Sequence, residues 1–495
     1  MRRSSLLPHI LLLLVVLVFV LHAAFTSLAV VDDAYIAFRY SSNLAHGRGL
    51  TFNPGQRVEG YTCFLWVVLG AMFERVGAAP AVALPVLGVG LGAATIVLVV
   101  RSLRRLRESE GFSVGAWAGI PSAVFLAATP SLAYYSGSGL ETALFCCMTA
   151  GLAASLFEMR PARLVLFAML AFLTRPEGAA IGAIALLLGL LRAEPRTRHT
   201  WVRCIAVFGL AGIAYAGFKW SYFHALLPNT FAAKPADHHA ALAYVGWGLL
   251  DSAPVLLLSA IFAYRERERA PHATWAFVLS GFAVVVVLAE GSDWMAGYRF
   301  LLPALTIASF GIDALMFATL RGSTRVRVAI GGLSVFAAGF FLYWSSKDTK
   351  SMHDLSETVR HYDKYRDRMV ESMWEGGVRS IGTLDIGRIT HVEPELRVLD
   401  LGGLTDQEIA AGRGGYQSKE PPPELLERKR PNAFLFAAKE MPTMDGSGRP
   451  TVSAFHYRVE RYVSELPWFR QRYYLREALP VRADYVLLWY APIPQ

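Results

Sequence analysis

The apolar residues of this 495-residue chain are gathered into eleven blocks, and that blocking constrains its fold more than any other feature. The blocks run at about Leu6–Leu28, Ala81–Val100, Gly111–Ala128, Leu140–Phe157, Leu164–Leu173, Gly178–Leu191, Cys204–Tyr222, Ser252–Ala263, Ala273–Ala289, Phe300–Leu320 and Val328–Trp344. At about 1.5 Å per helical residue, roughly 20 residues cross the hydrocarbon of a bilayer. The expectation is an all-α polytopic membrane domain with about 11 transmembrane helices. Composition agrees: 54% of residues are hydrophobic and only 18% charged, where a soluble chain is about a quarter charged. Leu164–Leu173 and Gly178–Leu191 are short, and the break between them leaves two readings open: two short spans or one broken element lining a wet cavity.

The formal charge of +9 invites a nucleic-acid reading, which the placement of the charges removes. From Lys347 to Gln495, 22 basic residues balance 22 acidic ones, so the excess lies in the apolar part. With a cytoplasmic N-terminus and eleven passes, eighteen basic residues, among them Arg2, Arg3, Arg101, Arg105 and Arg327, fall in cytoplasmic stretches and seven on the opposite face before Lys347. That is the positive-inside asymmetry expected in a cytoplasmic (inner) membrane. The register requires Tyr61–Val76 to lie along the outer interface without crossing. The first block, followed by Ala23-Ala24, also has the ingredients of a cleaved signal; in both cases Asp32 emerges outside.

After Trp344 the chain turns polar. An amphipathic helix is expected at His353–Met373, strands at Val378–Leu384, Arg397–Leu401, Ala433–Ala437 and Tyr485–Trp489, and helices at Thr405–Ala411 and Pro422–Lys429. Residues 1–345 thus read as the membrane domain and 346–495 as a small extracytoplasmic α/β domain. Cys63, Cys146, Cys147 and Cys204 have no spacing that suggests a disulfide framework or a metal site.

With this topology, polar clusters recur on the outer face: Asp32-Asp33, Arg39, Asn53, Glu59, Glu141, Arg175-Pro176-Glu177, Asn229 with Lys234, and Glu290, Asp293, Tyr298 and Arg299. Ionisable residues at membrane depth are costly and default to function. Acids beside cations under an apolar roof suit removal of a proton from one substrate and stabilisation of an anionic leaving group on another. Glycosyl transfer from a lipid phosphate needs both.

The string Asp32-Asp33-Ala34-Tyr35-Ile36-Ala37-Phe38-Arg39-Tyr40, continuing through Gly49-Leu50-Thr51-Phe52-Asn53-Pro54-Gly55 to Val58-Glu59-Gly60-Tyr61-Thr62, resembles the polytopic bacterial glycosyltransferases of the GT-C superfamily, in the branch of the mycobacterial terminal arabinofuranosyltransferase. The stretches around Glu141, Arg175, Asn229, Asp293 and Arg299, and Asp400 to Asp406, match in order. Cys63, Ala232-Ala233 and Ser292 depart from the pattern. The resemblance implies an inverting transferase that moves a sugar, arabinofuranose in that branch, from a polyprenyl-phosphate donor to a cell-envelope glycan or lipid acceptor, with an acid of the first outer loop as base.

On this reading Asp32 and Asp33 are the catalytic candidates, against the plainer role of opposing a helix dipole. Adjacent helical side chains sit about 100° apart, so one faces the sugar while the other caps or orients. Arg299, Arg175 and Lys234 are candidates for the donor phosphate, since a guanidinium fork suits phosphate oxygens. Arg175 and Glu177 equally suit a structural ion pair, and Lys219 is expected to snorkel. Glu141, Glu177, Asn229, Asp293, Tyr298, Arg39 and Glu59 are the sugar- or acceptor-binding candidates. No cofactor is expected; a divalent cation near Glu141, Asp293 and Glu290 is weighed and not favoured, and His224, His238 and His239 read as polar loop. The rival is a transporter or lipid-carrier flippase, for which an internal repeat and midplane charges are expected and not seen.

Overall fold

A computed structural model describes residues 6–109, 117–234, 237–321, 324–446 and 450–494. Arg2, Arg3 and the start of the Gly111–Ala128 block lie outside the described residues. Every apolar block contains a helix: Leu7–Thr26, Pro80–Ser109, Ile120–Ala128, Thr142–Phe157, Pro161–Thr174, Glu177–Arg192, Arg198–Phe223, Ala253–Arg265, Pro271–Glu290, Leu302–Arg321 and the first part of Thr324–Glu375. Proline opens many of them, at the first turn of the helices starting at Leu7, Ile120, Pro161, Ala253 and Pro271. There its missing N–H has no helical partner to lose. Among the described residues, five helices are long and apolar enough to cross a membrane, or six if the pair His238–Leu250 and Ala253–Arg265, bent by 83°, counts as one span. The chain is a multi-pass membrane protein. The helix His238–Leu250 lies outside the expected blocks, while Thr142–Phe157 and Pro161–Thr174 are shorter apolar helices.

The Thr174–Gly178 break separates two helices that fold back on each other. A side chain at Gly178 would strike the Ala171 backbone, and Gly182 faces Ala168 one turn on, which is antiparallel packing. The alternatives left by the sequence therefore resolve to a helical hairpin, with Arg175 in extended conformation at its turn.

The last apolar block does not stop at Trp344. The helix Thr324–Glu375 is continuous over 52 residues, because no glycine or proline interrupts Phe340–Glu375. It ends at Gly376-Gly377, where Gly377 has φ +87° and Val378 N–H donates to Met373 O at 2.9 Å, a left-handed C-terminal cap. One rigid rod therefore carries the chain from the bundle into the α/β module.

The module holds strands β1 (Ser380–Thr383), β2 (Arg397–Asp400), β3 (Ala433–Ala438), β4 (Thr443–Met444), β5 (Pro450–Thr451), β6 (Tyr473–Arg482) and β7 (Tyr485–Pro492). The main sheet has the order β2-β1-β3-β7-β6, with β2, β1 and β3 parallel and the rest antiparallel. Strand β6 was not expected from the sequence; it is an edge strand carrying Arg476, Glu477 and Pro480 and broken by bulges, the usual means of blunting an edge. At the opposite edge, Asn53 reaches up from the first loop of the bundle and pairs reciprocally with Val398 of β2, at 2.8 and 3.0 Å.

Candidate active site

Helix Asp32–Ala45 begins where Val31 N–H is held by Ser138 O at 3.1 Å, so its first turn is fixed against the Ser138–Glu141 turn. Gly139, at φ +88°, packs against Val30, Ala34 and Phe38. The two acids of that turn have different partners. Asp32 accepts from Arg366 Nη1 at 2.7 Å, Gly387 N at 3.0 Å and Arg388 N at 2.9 Å. It is the anchor on which the module sits, and Gly387 is required there, since a side chain at that position would collide with the Asp32 backbone. Asp33 has Lys234 Nζ at 3.7 Å and, among the described residues, accepts no hydrogen bond. Lys234 in turn lies over the Tyr416 ring of the module at 4.9 Å.

Other expected site residues serve the docking of module on bundle. Arg39 donates to the carbonyls of Phe52, Pro394 and Leu396. Asn229 Nδ2 donates to Gly403 O at 2.6 Å and Leu404 O at 3.1 Å, and its N–H to Glu59 O at 2.9 Å. Glu59 is buried in an ion pair with Lys219 at 2.8 Å. Lys219 thus does not snorkel: its ammonium turns inward to the first loop, where two buried charges need each other.

A second cluster lies across the Ser138–Glu141 turn. Arg175 donates Nη1 to Glu141 at 2.6 Å and both Nε and Nη2 to Glu177 Oε1, at 2.9 and 2.5 Å. Arg299 donates Nε to Asp293 at 2.5 Å. Phe300 lies between the guanidiniums, with centroid distances of 4.7 Å to Arg175 and 5.2 Å to Arg299. Around them is a small cavity of about 20 Å³, walled by Thr142, Arg175, Glu177, Glu290 and Arg299 over an apolar floor of Phe145, Ile181 and Val287. Thr142 Oγ1 has no protein partner among the described residues. Tyr298, with φ +52° and 36% exposed, stacks edge-on with Tyr244 at 5.2 Å, beside this cluster.

Sequence reasoning missed the module's share of the site. Asp385, just past the end of β1, stands 3.7 Å from Arg366 and accepts from Tyr457 OH at 3.4 Å. Burial pushes its carboxyl up to about 6, Arg366 opposes that shift, and Asp32 and Asp33 add to it. Burial likewise raises Asp400 to about 6, against donors from Gly402, Gly403 and Thr405. In the sequence Asp385 and Asp400 simply close short strand patterns, where a carboxylate is more often structural, and nothing in the local sequence around Arg366, Tyr416 or Tyr457 signals a site. Among the described residues no group of three His, Cys, Asp or Glu side chains is arranged to hold a metal ion.

Helical hairpins and spans whose loops meet an α/β module over an acidic first turn are the arrangement that the resemblance to GT-C glycosyltransferases leads one to expect, and the chain is similar in fold and sequence to the proteins that follow. It is 33% identical over 235 residues to the terminal β-(1→2)-arabinofuranosyltransferase of Mycobacterium tuberculosis, a match covering 42% of this chain and 35% of the relative. The chain thus spans about a third of the length of that curated relative. ArnT from Cupriavidus metallidurans, solved bound to undecaprenyl phosphate, superposes with a TM-score of 0.57 at 12% identity, over 98% of both chains. The apo oligosaccharyltransferase of Archaeoglobus fulgidus gives 0.55 at 11% identity, over 96% of this chain and 80% of its own. No family model matches the chain.

Proposed function

We propose that the protein is an inverting glycosyltransferase that moves a sugar from a polyprenyl-phosphate donor to a cell-envelope glycan or lipid acceptor on the outer face of the inner membrane, with arabinofuranose as the sugar. The observation that carries the reading is the division of labour in one helical turn: Asp32 is saturated by three donors, while Asp33 is half-buried beside a lysine. Asp33 is the base and Asp32 its support. Asp33 takes the proton of an acceptor hydroxyl; the oxygen attacks the anomeric carbon from the face opposite the phosphate; the bond from that carbon to the phosphate oxygen breaks, and the electron pair leaves with the polyprenyl phosphate.

Lys234 and Arg299 stabilise the departing phosphate. Asp293 occupies only Nε of Arg299, which leaves the rest of the fork for an anion. Arg175, engaged on every nitrogen, shapes the cavity by fixing Glu141 and Glu177. Sugar hydroxyls meet Thr142, Glu177 and Glu290 in the cavity wall. The domain layout follows: residues 1–345 bind donor and carry the base, and residues 346–495 form the extracytoplasmic module that closes over it.

The relatives support a lipid-linked donor, since ArnT was solved with undecaprenyl phosphate and an archaeal oligosaccharyltransferase with dolichol phosphate. Purified protein incubated with radiolabelled polyprenyl-phosphate sugars and membrane extract should label an acceptor from one donor. Direct use of a soluble nucleotide sugar overturns the donor class, and movement of unmodified lipid carrier without transfer favours a flippase.

A further inference from the structure

The sheet of the module has a topological switch point, and it opens toward Asp33. The chain leaves β1 for β2 on one side, then crosses back to β3 on the other, all three parallel. In open α/β sheets, ligands bind outside the carboxyl ends of the strands where the winding reverses. Here the carboxyl end of β1 delivers Asp385. Beside the end of β3 lies the segment His456–Glu460, tied by His456 N to Ala437 O at 2.8 Å and Ala437 N to Glu460 Oε2 at 3.1 Å, and it delivers Tyr457. Tyr416 OH donates to Leu384 O at 2.8 Å, which puts its ring next to Asp385 and under Lys234. Two residues past Asp385, Gly387 is already bonded to Asp32. The carboxyl ends of β1 and β3 and the first turn of the Asp32–Ala45 helix therefore form one continuous wall.

Within that wall Asp385 is held loosely. Its two side-chain partners stand at 3.4 and 3.7 Å, and the side chain keeps 29% of its surface exposed, against 20% for Asp33 and 33% for Lys234. A carboxylate has about four acceptor positions, so most of the capacity of Asp385 is unused. The chemistry that fits is a polyol, with hydroxyls to donate to Asp385 and Tyr457. We infer that this wall at the carboxyl ends of β1 and β3 is the acceptor subsite, in which Asp385 and Tyr457 bind hydroxyls of the acceptor glycan and present its reacting hydroxyl to Asp33. This rests on the glycosyl-transfer reading and adds to it the residues that select the acceptor.

The test uses the purified full chain, the polyprenyl-phosphate sugar that the wild type consumes and a synthetic oligoarabinofuranoside as acceptor. Asp385→Asn keeps the size of the side chain and leaves Arg366 paired with Asp32; Tyr457→Phe removes only a hydroxyl; Asp484→Asn, on a surface hairpin turn, is the control. Loss of a hydrogen bond to a charged group should raise the acceptor KM of Asp385→Asn by about 10- to 100-fold, and Tyr457→Phe by less. The donor KM of both variants should stay within about twofold of wild type. An unchanged acceptor KM in Tyr457→Phe and Asp385→Asn, or a fall in kcat alone, overturns the subsite while leaving the transferase reading standing. If Asp385→Asn does not fold, Tyr457→Phe decides. A wild type that neither transfers to the oligosaccharide nor hydrolyses any lipid-phosphate sugar removes the transferase reading, and the subsite falls with it.

Discussion

Arg366 stands 2.7 Å from Asp32 through Nη1, and that contact, made from the long helix into the first turn of another, separates the roles of two adjacent acids. With two backbone N–H groups also pointing at Asp32, its carboxylate is spent on holding the module. Asp33→Asn should therefore reduce transfer by about 10²- to 10⁴-fold, the usual contribution of a general base, with an unchanged melting temperature. Asp32→Asn should show the reverse weighting, with lower thermal stability and a smaller loss of turnover at permissive temperature. Stability-matched purified variants, assayed for transfer and melting separately, distinguish the two; near-wild-type transfer by Asp33→Asn moves the base elsewhere.

Arg299 and Arg175 each pair with buried acid, so alanine at either position costs stability, but Asp293 takes only Nε of Arg299. Arg299→Ala should weaken donor binding at least tenfold, because a charge-assisted contact to phosphate is lost, and Arg299→Lys should recover only part, since a point charge does not replace a fork. Equilibrium binding of the donor, measured apart from turnover, checks this. A donor affinity equal to wild type in Arg299→Ala would remove Arg299 from the phosphate site.

Arg175→Ala should act on folding first. It leaves Glu141 and Glu177, both nearly buried, without their shared cation, and breaking a buried pair from one side costs about 3–5 kcal/mol. Low expression or a large drop in melting temperature is expected. Glu141→Gln should cost less, because Arg175 keeps Glu177.

Much of this arrangement was legible in the sequence, and what was missed has a common cause. The apolar blocks located the helices because a bilayer filters for length and hydropathy, and the first-loop string pointed to Asp32 and Asp33. The boundary expected at Trp344 is crossed by one helix, since a change from membrane to water alters which faces are polar without altering helix propensity, and only Gly376-Gly377 ends it. The partners of the loop residues were invisible because they come from distant positions: Arg366 lies 334 residues from Asp32, and the carbonyls that take Asn229 lie 174 and 175 residues away. Periodicity reports what each segment buries and says nothing about which distant segment it buries against.

The continuous helix also makes the orientation testable. Residues after Glu375 emerge on the side where the last span ends, so a reporter fused after Gln495 should read as extracytoplasmic and one near Arg105 as cytoplasmic, given the basic cluster there. An extracytoplasmic signal at Arg105 would mean that Phe64–Arg75 crosses the membrane.

Asp385 and Asp400 give the module a specific dependence on pH. Both carboxyls are pushed by burial from the usual carboxylate range up to about 6. A group whose folded pKa is raised favours folding most when it is protonated, so its contribution is fully present below the unfolded value near 4 and is lost as pH rises through about 6. Between pH 5 and pH 7 the protein should therefore lose stability through these two groups. Asp385→Asn should flatten that slope, since an amide does not titrate. Asp400→Asn should flatten it too, but at a cost, because its carboxylate accepts from Gly402 N, Gly403 N, Thr405 N and Thr405 Oγ1 at 2.7 to 3.1 Å. Asp400→Ala leaves all four donors unpaired in a buried loop, the same loop whose Gly403 and Leu404 carbonyls hold Asn229, and should destabilise by about 3 kcal/mol or more. Melting curves of wild type and the three variants at pH 5, 6 and 7 read both effects. A wild-type slope that survives intact in Asp385→Asn and Asp400→Asn alike would assign the titration to other groups.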